Sequence, residues 1–297
     1  MLTAVPSGDL TQAMPRQFDI IAALLTPFTA DGGIDVPALR AHLRRLADAG
    51  LDGVMTAGTT GEGPLLSDDE TLTVLGEAVD AVGGRLRVYA HVGRIGTRAT
   101  ADLAQRSVAL GADAVTAVCP FYYAVAQAEL VDHFRALVGA VPQTPAFAYN
   151  IPRCTGNDLA TAAVRELAEA GLRGIKDSTR DADRHRELTE LAQERDGAFV
   201  AYMGSDGLIR ESFGMGGDGI VSSIANVAPE LVRGLRDALL AGDGAATGQC
   251  AGQIAELRKR TAQAPIVAFK RLLADATAAN GSPYPAHVRS PLGWTGA

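Results

Sequence analysis

Lys176 is the residue of this sequence whose type and position point most directly to chemistry. It follows the short apolar run that ends in Gly174-Ile175, and only Lys176, Lys259 and Lys270 among the 27 basic residues are lysines. Arginine cannot replace lysine where a deprotonatable amine is required. Partial burial lowers the pKa of an ammonium group, and the neutral amine attacks a ketone to give an imine. The protonated imine accepts electrons, so an adjacent carbon–carbon bond can break or form without a cofactor.

Two further segments supply groups that suit this chemistry. The run Gly58-Thr59-Thr60-Gly61-Glu62-Gly63 follows an apolar run and precedes a helical pattern. Its backbone N–H groups and hydroxyls could hold a carboxylate. It lacks the Lys-Ser/Thr ending of a phosphate-binding P-loop, so it does not predict a nucleotide site. Tyr149 ends another apolar run, where a phenol can relay protons.

Eight short apolar runs alternate with longer amphipathic stretches and predict the elements that position these groups. The predicted strands are Ile20–Leu25, Gly53–Thr56, Arg87–His91, Ala114–Val118, Ala146–Tyr149, Gly174–Ile175, Phe199–Tyr202 and Gly219–Val221. The helical patterns between them include Val36–Ala49, Asp68–Val82 and Thr97–Leu110. This alternation indicates parallel βαβ units, and about eight units in about 200 residues predict an α/β protein with one (β/α)8 TIM barrel. A doubly wound sheet is the alternative. Active sites of such barrels lie at the carboxyl ends of strands, where the motifs above fall.

We expect one domain without an internal linker. Residues 1–18 are expected to form a mobile N-terminal tail, and residues 19–297 the folded unit. Within that unit the barrel covers about 19–225, and about 226–297 form a C-terminal segment of two or three helices with a break near 242–244. A weak internal repeat supports the barrel, because the runs that start at Gly50, Gly111, Gly171 and Gly217 each join a helix end to an apolar strand.

Composition excludes several other classes of protein. The net charge of −7 argues against a nucleic-acid surface, and no apolar run reaches the roughly 18 residues that a membrane span needs. The odd number of cysteines (Cys119, Cys154 and Cys250) without a C-x-x-C pair predicts a cytoplasmic protein without a zinc site. The five histidines are scattered and form no metal-binding motif. The G-x-G-x-x-G run at 214–219 precedes a strand, whereas a dinucleotide-binding motif follows one.

Four motifs together resemble those of the dihydrodipicolinate synthase / N-acetylneuraminate lyase family. They are Gly58-Thr59-Thr60-Gly61-Glu62, Tyr149-Asn150-Ile151-Pro152, Gly174-Ile175-Lys176-Asp177 and Gly219-Ile220-Val221-Ser222, and the resemblance covers roughly residues 20–275. It implies a class I aldolase or related lyase on a TIM barrel. It also implies that Lys176 forms the Schiff base with pyruvate or another 2-oxo acid. Tyr149 and Thr59 would then transfer protons, and Thr60 would bind the substrate carboxylate.

The same resemblance implies an oligomer and further site residues. Tyr122 matches a tyrosine that is lent across a dimer interface, usually within a homotetramer made of two tight dimers. Val221 falls where a backbone carbonyl lies close to the lysine. Gly58, Gly204, Asp206 and Ser222 follow predicted strands and are assigned to substrate binding. The expected partners are therefore a 2-oxo acid such as pyruvate and an aldehyde, with no nucleic acid and no membrane.

The departures from the family pattern bear on the substrate. Where the synthases of lysine biosynthesis carry an arginine, this chain has Cys154, and Arg153 stands one place early. Gly207 replaces a glutamate of the sialic-acid lyases, although Asp206 and Ser223 are kept. The run Gly61-Glu62-Gly63-Pro64 is similar to that of 2-keto-3-deoxy-sugar-acid aldolases.

The predicted reaction is therefore the reversible aldol cleavage of a 2-keto-3-deoxy sugar acid, or of a similar hydroxy-oxo acid, to pyruvate and an aldehyde. The leading alternative within the family is 4-hydroxy-tetrahydrodipicolinate synthase, which condenses pyruvate with aspartate semialdehyde, followed by N-acetylneuraminate lyase. A metal-dependent aldolase and a non-catalytic paralogue that binds a 2-oxo acid are alternatives from other classes.

Overall fold

The strands close into a barrel in sequence order. The computed structural model describes residues 18–279, 281 and 283–293. Within these residues the strands are β1 (Asp19–Ala23), β2 (Gly53–Thr56), β3 (Arg87–His91), β4 (Ala114–Val118), β5 (Ala146–Asn150), β6 (Gly174–Asp177), β7 (Val200–Met203) and β8 (Gly219–Ser222). All neighbouring pairs are parallel, and β1 also pairs with β8, with Ile20 opposite Ile220. The TIM barrel is thus confirmed, and the doubly wound alternative is wrong.

Helices follow the strands around the outside of the barrel. Their bounds are α1 (Val36–Asp48), α2 (Asp68–Val82), α3 (Thr97–Ala109), α4 (Gln127–Ala140), α5 (Pro152–Thr155), α6 (Thr161–Glu169), α7 (Ala182–Glu194), α8 (Ile209–Gly214), α9 (Pro229–Ala241), α10 (Gly244–Arg260) and α11 (Pro265–Ala278). Ser67 caps α2 through a capping box with Glu70, so local sequence sets where this helix begins. The break expected near 242–244 separates α9 from α10.

The internal repeat noted in the sequence has a structural basis. In three copies an aspartate stands directly before a strand and accepts a backbone N–H of the preceding strand in the barrel. The pairs are Asp52 with Ile20 (2.8 Å), Asp113 with Val88 (2.7 Å) and Asp218 with Ala201 (2.8 Å). The copy before β6 has Arg173 at this position and bonds to Gly197 O instead. The repeated turn therefore joins neighbouring strands as well as connecting a helix to a strand.

Large aromatic side chains fill the amino-terminal half of the barrel interior. Tyr89 packs against Phe147 and Tyr202, with ring centroids 5.5 and 6.3 Å apart. The Tyr202 hydroxyl donates to Asp19 Oδ2 at 2.8 Å. Because this end is filled and hydrogen-bonded, room for a ligand lies toward the carboxyl ends of the strands.

The folded unit begins slightly earlier than the sequence-based boundary, and its carboxyl-terminal helices are those expected. Residues 1–17 of the predicted tail lie outside the described residues, but Phe18 is buried and its ring packs 5.6 Å from that of Phe213. The folded unit therefore includes Phe18, one residue earlier than predicted. Beyond the barrel, α9, α10 and α11 form the expected C-terminal helical segment, and Arg289 in residues 283–293 contacts Gly32 after β1 and Glu70 of α2.

Candidate active site

Lys176 lies in a buried environment near the carboxyl end of β6. Its side chain is in register with Tyr149 of β5, and the residue is only 5% exposed. The nitrogen Nζ lies 3.8 Å from the centre of the Tyr149 ring and 3.9 Å from Met55 Sδ. The adjacent carboxylate of Asp177 binds Arg184 at 2.8 Å and so is directed away from this amine. An aromatic face and a thioether therefore surround the amine inside the barrel.

Tyr149 connects the lysine to the glycine-rich loop. Its ring is buried against Lys176, and its hydroxyl lies 3.3 Å from Thr59 Oγ1. The structure thus brings together Lys176, Tyr149 and Thr59, which come from three different segments of the chain. A hydroxyl pair beside an amine can carry protons to and from a reacting group.

The glycine-rich loop is a tight structure in which two glycines are required by space. A Cβ on Gly61 would lie 2.7 Å from Leu24 O, and one on Gly63 would lie 1.7 Å from Ala57 O. The loop closes through a hydrogen bond of 3.0 Å from the N–H of Gly63 to Gly58 O. Thr59 and Thr60 lie between Gly58 and Gly63, the two residues that this hydrogen bond joins. The bond and the close packing of the glycines therefore fix the backbone that carries both threonines.

The second threonine of the loop faces the segment after β8. Thr60 Oγ1 lies 2.9 Å from Ser223 Oγ. Asp206, between β7 and α8, accepts the Ser222 hydroxyl and the N–H groups of Ser223 (3.3 Å) and Ile224 (3.4 Å). Burial raises the pKa of the Asp206 carboxyl, and the Ser222 hydroxyl opposes that rise. Asp206 therefore holds the backbone around Ser223, which in turn contacts Thr60.

Gly204 and Val221 occupy tightly packed strand ends. The N–H of Gly204 donates to Asp177 O at 2.7 Å, and a Cβ there would meet Ser178 Oγ at 2.0 Å. Val221 is buried in the interior cluster that also contains Met55, the contact of the lysine nitrogen. Both residues lie next to the elements that carry the site, and their contact with substrate stays a prediction.

Tyr122 differs from the other candidate residues in its high exposure within one chain. It is 82% exposed, has a backbone φ of +79°, and its ring lies 5.0 Å from that of the exposed Tyr123. A positive φ at a tyrosine is a strained conformation of the kind found at functional positions. Its predicted role at a subunit interface stays a prediction.

His91 is a neighbour of the site that the sequence analysis passed over as one of five scattered histidines. It ends β3, is 3% exposed, and its ring packs edge-to-face on Tyr149 with centroids 6.0 Å apart. Burial lowers its pKa to about 3, with further lowering by Arg94 and Lys176. The alternation along β3 gives the signal that could have found it, since His91 shares a face with Tyr89.

The described residues hold neither of two features that would suggest other kinds of protein. No three His, Cys, Asp or Glu side chains among them come together as a possible metal site. None of the helices in this part of the chain has the length and apolar character to cross a membrane.

A buried lysine and tyrosine beside a half-buried threonine at the mouth of a parallel barrel point to a class of lyases and aldolases, and comparison with known proteins identifies the family. The model of the dihydrodipicolinate synthetase family matches residues 17–295. The chain belongs to this family. The predicted resemblance is thereby confirmed, and the protein is a class I aldolase or lyase of this family.

Relatives and solved structures agree with this assignment. An uncharacterized DapA-like lyase of Halobacterium salinarum is 37% identical over 285 residues, covering 93% of this chain and 84% of the relative. A 4-hydroxy-tetrahydrodipicolinate synthase of Moorella thermoacetica is 37% identical over 225 residues, covering 75% of this chain and 76% of the relative. The structure of YagE, a prophage protein of E. coli K12 belonging to the dihydrodipicolinic acid synthase family, in complex with pyruvate, matches with a TM-score of 0.85 and 29% identity over 92% of both chains.

Proposed function

We propose that this protein is a Schiff-base lyase that cleaves a 2-keto-3-deoxy sugar acid reversibly to pyruvate and an aldehyde. The observation that carries the proposal is the buried Lys176 nitrogen against Tyr149, whose hydroxyl lies 3.3 Å from Thr59. The similar YagE structure is a complex with pyruvate, which supports a 2-oxo acid as the ligand.

In the proposed mechanism, the first step joins Lys176 to the substrate. The neutral amine attacks the C2 ketone, and the carbinolamine that forms loses water to give a protonated imine. Tyr149, with Thr59 within hydrogen-bonding distance, delivers the proton that the departing hydroxyl needs. The hydroxyl of Thr60 and the N–H groups of the glycine-rich loop bind the substrate carboxylate.

The second step breaks the bond between C3 and C4. The C4 hydroxyl loses its proton to the Tyr149 oxygen, and the C3–C4 electron pair moves into the imine to give an enamine and a free aldehyde. C3 of the enamine then takes up the proton that Tyr149 accepted from the C4 hydroxyl. Water hydrolyses the resulting imine and returns a proton to Tyr149, which releases pyruvate and restores the amine. The protonated imine nitrogen of Lys176 accepts the C3–C4 electron pair in this step, and the pair returns to C3 when C3 is protonated, so the reaction involves no net oxidation or reduction.

The synthase reaction is the second candidate, because relatives 37% identical to this chain are named 4-hydroxy-tetrahydrodipicolinate synthases. Against it stands Cys154 at the position where the synthases carry an arginine, with Arg153 beside it; both are exposed on α5. We expect Arg153→Ala to leave KM for a neutral aldehyde unchanged. A large rise in KM for aspartate semialdehyde in this variant would instead favour the synthase.

A turnover panel separates the two reactions. The enzyme is incubated with 2-keto-3-deoxygluconate and related acids, and the pyruvate released is measured. In parallel, it is incubated with pyruvate and aspartate semialdehyde, and consumption of pyruvate is followed. The proposal predicts that kcat/KM is highest for one of the sugar acids. Turnover of aspartate semialdehyde alone would replace it with the synthase, and no turnover in either arm would favour the non-catalytic paralogue.

We also propose a homotetramer in which the Tyr122 of one subunit reaches the site of its neighbour. The support is the exposure of Tyr122 together with its strained backbone. A cytoplasmic location stays a prediction, supported by three free cysteines of which Cys154 is exposed. Native mass spectrometry measures the number of subunits, and a monomer would contradict the shared site.

A further inference from the structure

Glu62, the last residue of the Gly58–Glu62 motif, is a completely buried carboxylate. Its side chain is 0% exposed, and its backbone adopts a left-handed conformation with φ of +59°. Its N–H donates to Thr59 O at 3.2 Å, and its carbonyl accepts the N–H of Leu65 at 2.8 Å. The backbone of Glu62 therefore closes the turn that carries Thr59 and Thr60, and a shift of Glu62 would move both threonines.

The partners of this carboxylate come from the far end of the chain. Oε1 lies 2.5 Å from Lys270 Nζ of α11, whose side chain is also 0% exposed. Oε2 accepts the backbone N–H of Arg289 at 2.8 Å. A buried carboxylate needs such compensation, since transfer of an unpaired charge from water into a protein interior is strongly unfavourable. The C-terminal segment thus supplies the charge and the hydrogen bond that keep Glu62 buried.

Lys270 is itself held in place from several directions. Nζ donates to His287 O at 2.6 Å and lies 4.3 Å from the centre of the Phe28 ring. An ammonium group is compact and can donate three hydrogen bonds in different directions, whereas a guanidinium is planar and larger. This geometry explains a lysine at 270 in a chain that has three lysines among its 27 basic residues.

The side chain of Arg289 anchors the segment whose backbone N–H binds Glu62. Its guanidinium donates to Gly32 O at 2.7 Å and to Leu65 O at 2.9 Å, and it forms an ion pair with Glu70 of α2. These contacts tie residues 283–293 to the loop after β1 and to the start of α2. The N–H of Arg289 is consequently fixed beside Glu62.

We propose that Lys270 and Arg289 are positioning residues for the active site, which act through Glu62 on Thr59 and Thr60. In this account the C-terminal segment outside the barrel is a structural part of the substrate-carboxylate site. The proposal rests on the proposed function for its kinetic readout, and it predicts a structural effect on the loop that is independent of that function.

The test compares Lys270→Met with Leu273→Ala. Leu273 lies on the same helix and is fully buried in the core, so its truncation destabilises α11 without touching Glu62. Lys270→Met leaves Glu62 without its cation. We expect KM for the 2-oxo acid to rise by about tenfold or more in Lys270→Met, a loss of transition-state or substrate binding of at least about 1.4 kcal/mol. KM of Leu273→Ala should remain near that of the wild type, even if its melting temperature falls by as much as that of Lys270→Met.

Hydrogen exchange supplies the readout that does not depend on catalysis. Amides in a peptic fragment that spans residues 57–66 should exchange faster in Lys270→Met than in the wild type, and at the wild-type rate in Leu273→Ala. Borohydride trapping with pyruvate on the wild type reports separately on the proposed function. If trapping fails on the wild type but residues 57–66 still exchange faster in Lys270→Met, the proposed function is wrong and the positioning role of Lys270 remains.

A second variant keeps the test available if Lys270→Met does not fold. Arg289→Met removes an anchoring side chain that is partly exposed, and it should raise KM and loop exchange in the same direction by a smaller factor. Unchanged exchange across residues 57–66 in folded Lys270→Met and Arg289→Met would overturn the proposal. Equal changes in Leu273→Ala and Lys270→Met would also overturn it, because they would show a general effect of stability.

Discussion

The Lys176 nitrogen lies directly against the face of the Tyr149 ring, with 3.8 Å between Nζ and the ring centre. The hydroxyl of the same tyrosine lies 3.3 Å from Thr59 Oγ1. One residue therefore shields the amine from water through its ring and provides a proton-transfer group through its hydroxyl. The two properties can be separated by substitution.

Tyr149→Phe keeps the ring against Lys176 and removes only the hydroxyl. We expect kcat to fall by about 10² to 10⁴, the usual contribution of a positioned acid–base group, while imine formation with pyruvate becomes slow but remains detectable. Steady-state kinetics and borohydride trapping measure the two effects. Tyr123→Phe, at an exposed ring, is the matched control and should behave as the wild type. A Tyr149→Phe enzyme with normal kcat would refute the proton-transfer role.

Thr60→Val tests the carboxylate site. The valine keeps the shape of the side chain but loses the hydroxyl that lies 2.9 Å from Ser223 Oγ. We expect KM for the 2-oxo acid to rise by about tenfold, the effect of one lost hydrogen bond of about 1.4 kcal/mol to a charged group, with a smaller change in kcat. Thr73→Val is the control, since its hydroxyl only contacts its own helix. A fall in kcat at constant KM would place Thr60 in the chemical steps instead.

Tyr122→Ala tests the shared site. Because the side chain is 82% exposed within one chain, its loss should leave the stability of the isolated subunit nearly unchanged. If the residue completes a neighbour's site, kcat/KM should still fall, by about tenfold or more. Thermal unfolding and kinetics measure the two effects, and native mass spectrometry reports the number of subunits. Full activity in Tyr122→Ala would show that the site is complete within one chain.

The buried histidines predict how stability depends on pH. Burial lowers the pKa of His42 and of His91 to about 3, below the unfolded value near 6.5. Between these values the unfolded chain binds more protons than the folded chain, so the free energy of unfolding rises with pH. The stabilising effect of the neutral rings is complete above about pH 6.5 and is lost as pH falls toward 3.

His91→Phe isolates the contribution of one of these rings. We expect the dependence of the unfolding free energy on pH between 4 and 6 to become shallower by about 1.4 kcal/mol per pH unit. Denaturant titrations at a series of pH values measure it. An unchanged slope in His91→Phe would contradict the neutral, buried state of His91.

Local rules predicted most of the barrel. The bounds of β2, β3 and β4 are those expected, because each strand lies between clear turn signals, and α2 spans Asp68–Val82 as predicted. The strand-end rule for barrels also predicted that Lys176 and Tyr149 lie together. The predicted β6 was too short, since its hydrogen-bonded ladder continues to Asp177, opposite Asn150. The strands were predicted from apolar runs, and Lys176 and Asp177 at the end of β6 do not extend such a run.

The missed features depend on contacts between distant parts of the chain. Glu62 and Lys270 form their ion pair across more than two-thirds of the sequence, and no local pattern links them. The scarcity of lysine was also a weaker guide than expected. Lys270 pairs with Glu62, and Lys259 is 77% exposed beside Glu256, so only Lys176 is placed for amine chemistry. Packing and charge compensation in three dimensions decide these roles.

The most direct test of the account is reductive trapping of the enzyme with pyruvate and borohydride, followed by mass spectrometry of the intact chain and its peptides. We predict one reduced pyruvyl group per chain, located on Lys176, and no adduct in Lys176→Arg, while Lys259→Arg is labelled like the wild type. An unmodified wild-type chain, or an adduct on Lys259 or Lys270 instead, would contradict the assignment of Lys176 as the residue that forms the imine.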